Sequence, residues 1–291
     1  MQPQSQRDGP FTTLQAGPYS LRGVSVGGIY TSLQVPELSV VLDAGVTLRA
    51  LCATDHLFLS HGHVDHVGGL FGLLGVRGMM QKQRPPRVYL PREIAAELGA
   101  ALSATSKLQR FPLEIDAVPL APGDCVPVAN NLWVRAFRTH HPVPSLGYQF
   151  LRRVKKLKPA YQGLSGPEIA EAKRAQVDLF DDAEHLELCY ATDTLIRVLD
   201  TNPSMLTSRV LVLECTFYDE RKALADSRAG CHIHLDELLE YADRFENEHL
   251  ILMHVSQIYS AREAREILQR RCPPRLLPRV QLFGPERGPW L

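Results

Sequence analysis

A short apolar run, Leu57-Phe58-Leu59-Ser60, leads directly into His61-Gly62-His63-Val64-Asp65-His66. Four potential metal ligands lie within six residues at the end of a strand, and nothing else in the chain restricts its fold so strongly. Side chains alternate along extended backbone, so His61 and His63 can point to one side. Asp65 and His66 then open the next turn and address a neighbouring position. Imidazole and carboxylate suit a borderline divalent ion such as zinc. The cluster offers nitrogen and oxygen ligands without thiolate, which fits a hydrolytic centre better than a closed structural one.

More candidate ligands lie at other strand ends. His140 and His141 follow Leu132-Trp133-Val134-Arg135-Ala136-Phe137, Asp193 follows Leu188-Cys189-Tyr190-Ala191, and His254 follows Leu250-Ile251-Leu252-Met253. Taken singly each is an ordinary residue; an Asp in a Thr-Asp-Thr turn usually caps its own backbone. Their joint occurrence where buried strands stop is the signal, because functional groups collect on the loops that a sheet positions.

The chain has 291 residues, 45% of them hydrophobic and 22% charged, enough to build a sizeable core. No composition break marks a linker, so residues 1–291 read as a single domain. Further strands are expected at Leu38–Gly45, Arg87–Pro91, across 113–150 and at Val210–Leu213. Helices are expected at Val67–Met80, Arg92–Leu102, His234–Arg244 and Ser260–Arg271. Two blocks of strands, each followed by helices, predict an α/β fold in which two sheets pack together with helices outside. The stretch from 152 to about 187 differs in character and reads as a short basic insertion, helical or irregular as far as residue 180. Its run Arg152-Arg153-Val154-Lys155-Lys156-Leu157-Lys158 is a candidate for contacting RNA phosphates. Lys82–Arg87 is a weaker candidate of the same kind. A net charge of zero argues against binding nucleic acid over the whole surface but allows a local patch. Six scattered cysteines without a C-x-x-C pair read as reduced thiols in a cytoplasmic protein. The N-terminus lacks an apolar signal region, and no apolar stretch approaches the roughly 18–20 residues that span a bilayer, so no membrane association is expected. Pro273 opens a tail rich in proline and arginine.

These blocks resemble the ribonuclease Z family, the tRNA 3′-processing endonucleases of the metallo-β-lactamase superfamily, and the short form in particular. The resemblance covers roughly residues 20–283. It runs through Gly23–Gly28 with Thr31, Leu42-Asp43-Ala44-Gly45, Ser60–Gly69, Thr139-His140-His141 with Gly147-Tyr148, and Ala191–Thr194. It continues through Leu213–Phe217, His232-Ile233-His234 and His254-Val255-Ser256. The His-x-His-x-Asp-His block specifies only the superfamily; the later blocks carry the narrower likeness. The resemblance implies a four-layer αββα sandwich holding two zinc ions per chain, with manganese or iron able to take the same ligands. One zinc would be held by His61, His63 and His141, the other by Asp65, His66 and His254, with Asp193 bridging. Asp65 resembles the general base, and Glu214 with His232 a pair that assists the leaving group. The resemblance also implies a homodimer. Two departures stand out: Ile258 occupies a position where the family commonly has arginine, and the segment at 152–187 is shorter than the arm of many relatives.

The implied reaction is cleavage of precursor tRNA, or another RNA, at its 3′ side by a metal-bound hydroxide. Two metals roughly 3.5–4 Å apart can hold a shared nucleophile and clamp a phosphate oxygen. Two alternatives use the same fold: a hydrolase of a small phosphodiester, ester or lactam, and a non-catalytic RNA-binding protein.

Overall fold

The computed structural model describes residues 11–284. Residues 1–10, on which much of the N-terminal reading rests, and 285–291, the end of the tail, lie outside the described residues.

Two seven-stranded sheets form the centre. The first holds β1 (Thr12–Ala16), β2 (Tyr19–Val26), β3 (Tyr30–Val35), β4 (Val40–Leu42), β5 (His56–Phe58), β6 (Arg87–Pro91) and β7 (Asp116–Leu120), side by side in chain order. Pairing is antiparallel from β1 to β4 and parallel from β4 to β7. Parallel neighbours need crossovers. Helices α1 (Val64–Val67) and α2 (Leu70–Met79) cross from β5 to β6, and α3 (Ala95–Gln109) crosses from β6 to β7.

The second sheet holds β8 (Cys125–Ala129), β9 (Leu132–Arg138), β10 (Leu146–Leu157), β11 (Phe180–Ala191), β12 (Val210–Glu214), β13 (His249–Met253) and β14 (Val280–Leu282). It is antiparallel from β8 to β11 and parallel from β11 to β14. Between its strands lie α4 (Gly166–Arg174), α5 (Val198–Thr201), α6 (Leu224–Ala229), α7 (Leu235–Glu240) and α8 (Ala261–Arg271).

Three apolar clusters account for the layers. The central one joins the inner faces of both sheets, with Leu33, Leu42, Phe58 and Tyr89 meeting Tyr148, Phe150, Tyr190 and Ile251. A second packs the outer face of the first sheet against α2 and α3 through Leu57, Leu59, Leu73 and Leu102. The third packs the outer face of the second sheet against α5, α7 and α8 through Leu211, Leu252, Leu238 and Ile267. This is the expected αββα sandwich. Strands covered on both faces read as unbroken apolar runs, which is why Val210–Leu213 and Leu250–Met253 were legible.

Several expected elements differ in extent. The helix expected at Val67–Met80 is interrupted at Gly68-Gly69, where α1 gives way to α2; position 69 takes glycine because a side chain there would strike the backbone of Val46. The helix expected at His234–Arg244 ends at Glu240. The strand expected at Leu38–Gly45 is only β4, preceded by a 3-10 turn at Pro36–Leu38.

The larger correction concerns 152–187. This segment is not mainly helical or irregular: β10 continues to Leu157 and β11 returns from Phe180, with α4 in the connection. Past Arg153 the two strands pair only with each other, so they leave the sheet as a two-stranded ribbon. Nor is the segment net basic, since seven Lys or Arg side chains are matched by seven Asp or Glu. The register sets Arg153 opposite Glu184, Lys155 opposite Asp182 and Lys156 opposite Asp181. Cross-strand pairs of opposite charge each favour a strand pairing by roughly 0.2–1 kcal/mol, so the charges support the ribbon they sit on.

The six cysteines are free; Cys52, Cys189, Cys215 and Cys272 are buried. Among the described residues no helix is long and apolar enough to cross a membrane.

Phe58 ends β5 just before the histidine block. Its ring stacks on Tyr89 at 4.2 Å and meets Phe150 and Tyr148 edge-on at 5.0 and 5.2 Å. Phe58→Ala is predicted to destabilise the fold by about 3–5 kcal/mol, the usual cost of an emptied aromatic site. Urea unfolding checks this; a loss below about 1 kcal/mol would show that the cluster does not hold the two sheets together.

Candidate metal centre

The carboxyl ends of β4, β5, β9, β11, β12 and β13 meet at one rim of the sandwich. After β5 the chain leaves the sheet at Leu59 and Ser60, and α1 starts with His63 at its N-cap. This turn presents His61, His63, Asp65 and His66. Gly45 makes room for it: a side chain there would come within 1.8 Å of the Asp65 carbonyl oxygen.

The side chains converge as two groups. His61, His63, His141 and Asp193 form one; Asp65, His66 and His254 form the other, and within each group one ligand atom per residue lies within 4.8 Å of the rest. His63 Nδ1 lies 3.0 Å from His61 Nε2 and 3.2 Å from His141 Nε2. Asp193 stands between the groups. Its Oδ2 is 3.8 and 3.9 Å from the Nε2 atoms of His61 and His141, and its Oδ1 is 3.4 and 3.2 Å from those of His66 and His254. Each carboxylate oxygen therefore faces one group, which is the arrangement a bridging ligand needs.

Whether these imidazoles suit a cation depends on their other nitrogens. A neutral imidazole donates from one nitrogen and offers a lone pair on the other. Asp43, fully buried, accepts from Ser60 N at 2.7 Å, Ser60 Oγ at 2.8 Å, Tyr190 Oη at 2.6 Å and His66 Nδ1 at 2.8 Å. With its own proton committed to Asp43, the Ser60 hydroxyl accepts from His61 Nδ1 at 3.0 Å. On the other side, Thr216 Oγ1 donates to Glu214 at 2.6 Å and accepts from His254 Nδ1 at 3.1 Å. This network assigns the lone pairs of His61, His66 and His254 to Nε2. The Nε2 atoms of His66 and His254 are buried with no hydrogen-bond partner among the described residues. Buried, unpartnered lone pairs aimed at a shared carboxylate fit a divalent cation, and acceptors behind the ring are how metal-binding histidines are normally oriented.

The electrostatics agree. Burial lowers the His66 pKa, yet Asp193 and Asp43 outweigh it and hold the ring well above its ordinary value. Burial would raise Asp193, but His254 and His66 drive it well below the usual carboxylate range. Asp65 is likewise held low against burial by the neighbouring His254 and His66 rings, 3.9 and 3.5 Å from its Oδ2. Burial depresses His61, and it depresses His141 to about 4. Asp193 and Asp43 thus draw positive charge to His66, as a cation there would supply it, while the His61 and His141 rings stay neutral.

Beside it lies a buried pair. Glu214 accepts from Thr194 N at 2.7 Å, Thr216 Oγ1 at 2.6 Å, Ile233 N at 3.3 Å and His232 Nδ1 at 3.1 Å. Burial lowers the His232 pKa, but the Glu214 charge and hydrogen bond dominate and push it up to about 9. The His232 ring lies 5.4 Å from His254 and 6.0 Å from His141, at the edge of the cradle.

The other singled-out residues lie elsewhere. His140 turns away and meets Thr201 Oγ1 at 3.1 Å. His234 caps α7 by accepting from Asp236 N. Ile258 is exposed, beside the Arg221 guanidinium, which reaches its carbonyl at 3.4 Å and stacks on Tyr259. The run Arg152–Lys158 is remote: β10 starts near the centre at Leu146, and at about 3.3 Å per residue Lys155 is on the order of 30 Å further on. Four of its five cations face carboxylates: Arg152 with Glu187 at 3.9 Å, Arg153 with Glu184 at 3.2 Å, Lys155 with Asp182 at 2.6 Å, and Lys158 with Asp178 at 2.5 Å. Sequence reasoning assigned no role to Asp43, Ser60, Tyr190 or Thr216. The one local hint was that Asp43 and Ser60 each end a strand that runs to the rim.

Residues 40–255 match the family model described as a β-lactamase superfamily domain. The chain is 33% identical over 263 residues to tRNase Z TRZ1 of Arabidopsis thaliana, covering 90% of this chain and 94% of that protein. It is 32% identical over 270 residues to the chloroplastic tRNase Z TRZ2 of the same plant, covering 91% and 76%. Among solved structures, the metallo-β-lactamase fold protein YhfI from Bacillus subtilis superposes with a TM-score of 0.59 at 15% identity, covering 90% of this chain and 93% of that one. The short form of human tRNase Z superposes with a TM-score of 0.55 at 17% identity, covering 86% and 92%. The structural likenesses establish the fold, and the sequence likenesses over nearly the whole length narrow it: this chain belongs to the tRNase Z family of the metallo-β-lactamase superfamily.

Proposed function

We propose that this chain is a zinc-dependent endoribonuclease that cuts precursor tRNA on its 3′ side and leaves a 3′-hydroxyl. The observation that carries this reading is the pair of ligand groups with Asp193 standing between them, set beside the Glu214–His232 pair. The choice of tRNA follows the plant relatives. His61, His63 and His141 would hold one zinc, Asp65, His66 and His254 the second, and Asp193 both. When bound, such a pair supplies a water with a pKa near 7 and polarises the phosphoryl oxygen.

This chain's own residues do the rest. Asp65 stays ionised beside His254 and His66, so its carboxylate can accept a hydrogen bond from the attacking water and orient it. His232 keeps its proton through neutral pH because Glu214 stabilises it, and it donates that proton to the departing 3′ oxygen of the ribose. The Glu214 carboxylate is tied to backbone amides on both sides, so it orients His232 without moving. The free thiols support a cytoplasmic setting, and the family resemblance supports a homodimer.

The direct test is to incubate metal-loaded protein with an unprocessed tRNA transcript and map the cut. A 3′-hydroxyl at the 3′ boundary is expected. Turnover of bis(p-nitrophenyl) phosphate with intact transcript would instead support a small-diester hydrolase. Asp193→Ala is predicted to lower bound zinc from about two per chain to one or none, read by elemental analysis, since one side chain serves both positions. Two tightly held ions in that variant would show that Asp193 does not bridge. His232→Ala is predicted to lower kcat by about 10²–10⁴-fold with zinc content retained, as expected of a lost general acid. In Glu214→Gln the ring loses its stabilising charge, so the alkaline fall of the pH–rate profile should move to lower pH. An unshifted limb would remove His232 from the proton transfer.

A further inference from the structure

Two arginines at the rim of the metal centre have no carboxylate partner among the described residues. Arg138 ends β9 and Arg197 is the N-cap residue of α5, and both are exposed. The backbone brings them together. His140 N donates to Thr194 Oγ1 at 2.9 Å, Leu195 N to His140 O at 3.3 Å, and Asn202 Nδ2 to Arg138 O at 3.4 Å. These bonds press the exit of β9 against the turn that carries Asp193, and both guanidiniums act on the His140 ring that lies by them. Arg138 also lines a cleft of about 310 Å³ that contains His141, with Pro122, Pro142 and Val143 as an apolar wall and Glu93 as its acidic member. The cleft therefore opens beside a proposed zinc ligand.

The contrast with neighbouring cations is informative. Arg92 pairs with Asp124 at 3.4 Å, Arg135 with Glu184 at 2.7 Å, and the ribbon cations with the acids opposite them. Two arginines that both act on the His140 ring and form no ion pair with a carboxylate among the described residues leave positive charge at this rim for a polyanion to neutralise. Guanidinium suits this task because it meets phosphate oxygens with two parallel N–H bonds.

We propose that Arg138 and Arg197 bind backbone phosphates of the RNA strand on the His141 side of the scissile bond, and that the cleft under Arg138 receives one nucleotide of that strand. This rests on the RNA-cleaving reading above. The contacts position the strand irrespective of base sequence, as phosphate contacts do. They are nearer the chemistry than any cation of the ribbon.

The experiment compares the metal-loaded full chain with Arg138→Ala, Arg197→Ala, the double variant and Arg138→Lys. Precursor tRNA and bis(p-nitrophenyl) phosphate are the substrates, across a range of salt. Each alanine variant is expected to raise KM for the transcript roughly tenfold, with kcat within about twofold, the size of a lost charge-assisted bond. The slope of log kcat/KM against log salt should fall by about one per arginine removed. Arg138→Lys should recover most of the slope because it keeps the charge. The loss on the transcript should exceed any loss on the small diester, which has no flanking phosphates. A double variant with the wild-type slope and KM overturns the proposal and leaves the RNA reading standing. Equal losses on both substrates also overturn it, since the arginines would then act on the metal centre. Wild-type protein that leaves the transcript intact overturns both readings.

Discussion

An imidazole can offer a lone pair to a cation only when its other nitrogen has somewhere to send its proton. Three rings of this cradle meet that condition through buried acceptors. Asp43 takes the His66 proton and, by committing the Ser60 hydroxyl, makes Ser60 an acceptor for His61. Thr216, committed in the same way by Glu214, accepts from His254. Two buried carboxylates thus aim the lone pairs inward, one from each sheet. Glu214 does double duty, because it also holds the proton on His232. The proposed metal-holding and proton-donating parts of the site are therefore coupled through one side chain, since Glu214 bonds both Thr216, behind His254, and His232.

Backbone geometry at the rim follows from the same demand. Asp43, Asp193 and His254 all adopt left-handed conformations, with φ of 56°, 44° and 61°. Non-glycine residues enter this region at a cost of order 1–3 kcal/mol. All three lie within two residues of a strand end and turn the chain sharply so that the side chain faces the cradle. The surrounding bonds hold them there: His254 N donates to Ser25 Oγ at 3.1 Å, and Asp43 N to Phe58 O at 2.8 Å. Six other described non-glycine residues, Ser39 and Asn130 among them, take the same conformation away from these three positions, so the geometry is not peculiar to the rim.

Charge is distributed with equal economy. The ribbon is rich in cations, but its register neutralises them and places them far along β10 from the centre. The rim has fewer cations, and Arg138 and Arg197 lack partners there among the described residues. A count of charges along the chain favours the ribbon, whereas the proposed phosphate contacts lie at the rim. Pairing and position reverse that preference, because a paired surface cation exerts little net field.

The sequence by itself determined the two-sheet architecture, several of its buried strands and the candidate metal ligands, since a strand-terminal ligand block and unbroken apolar runs are local patterns. His61, His63, Asp65, His66, His141, Asp193 and His254 were all nameable before any coordinates, though choosing His141 over His140 needed family likeness. Only the tertiary structure decided which of Asp193's oxygens faces which group, that Asp43 and Thr216 orient the rings, and that four of the five cations at 152–158 face carboxylates. Those facts depend on residues brought together from distant parts of the chain: Tyr190 meets Asp43 across 147 positions, and His254 meets Ser25 across 229. Periodicity and spacing describe what a segment does with its own neighbours. Strand register, proton direction and charge pairing arise only when separate segments share a surface.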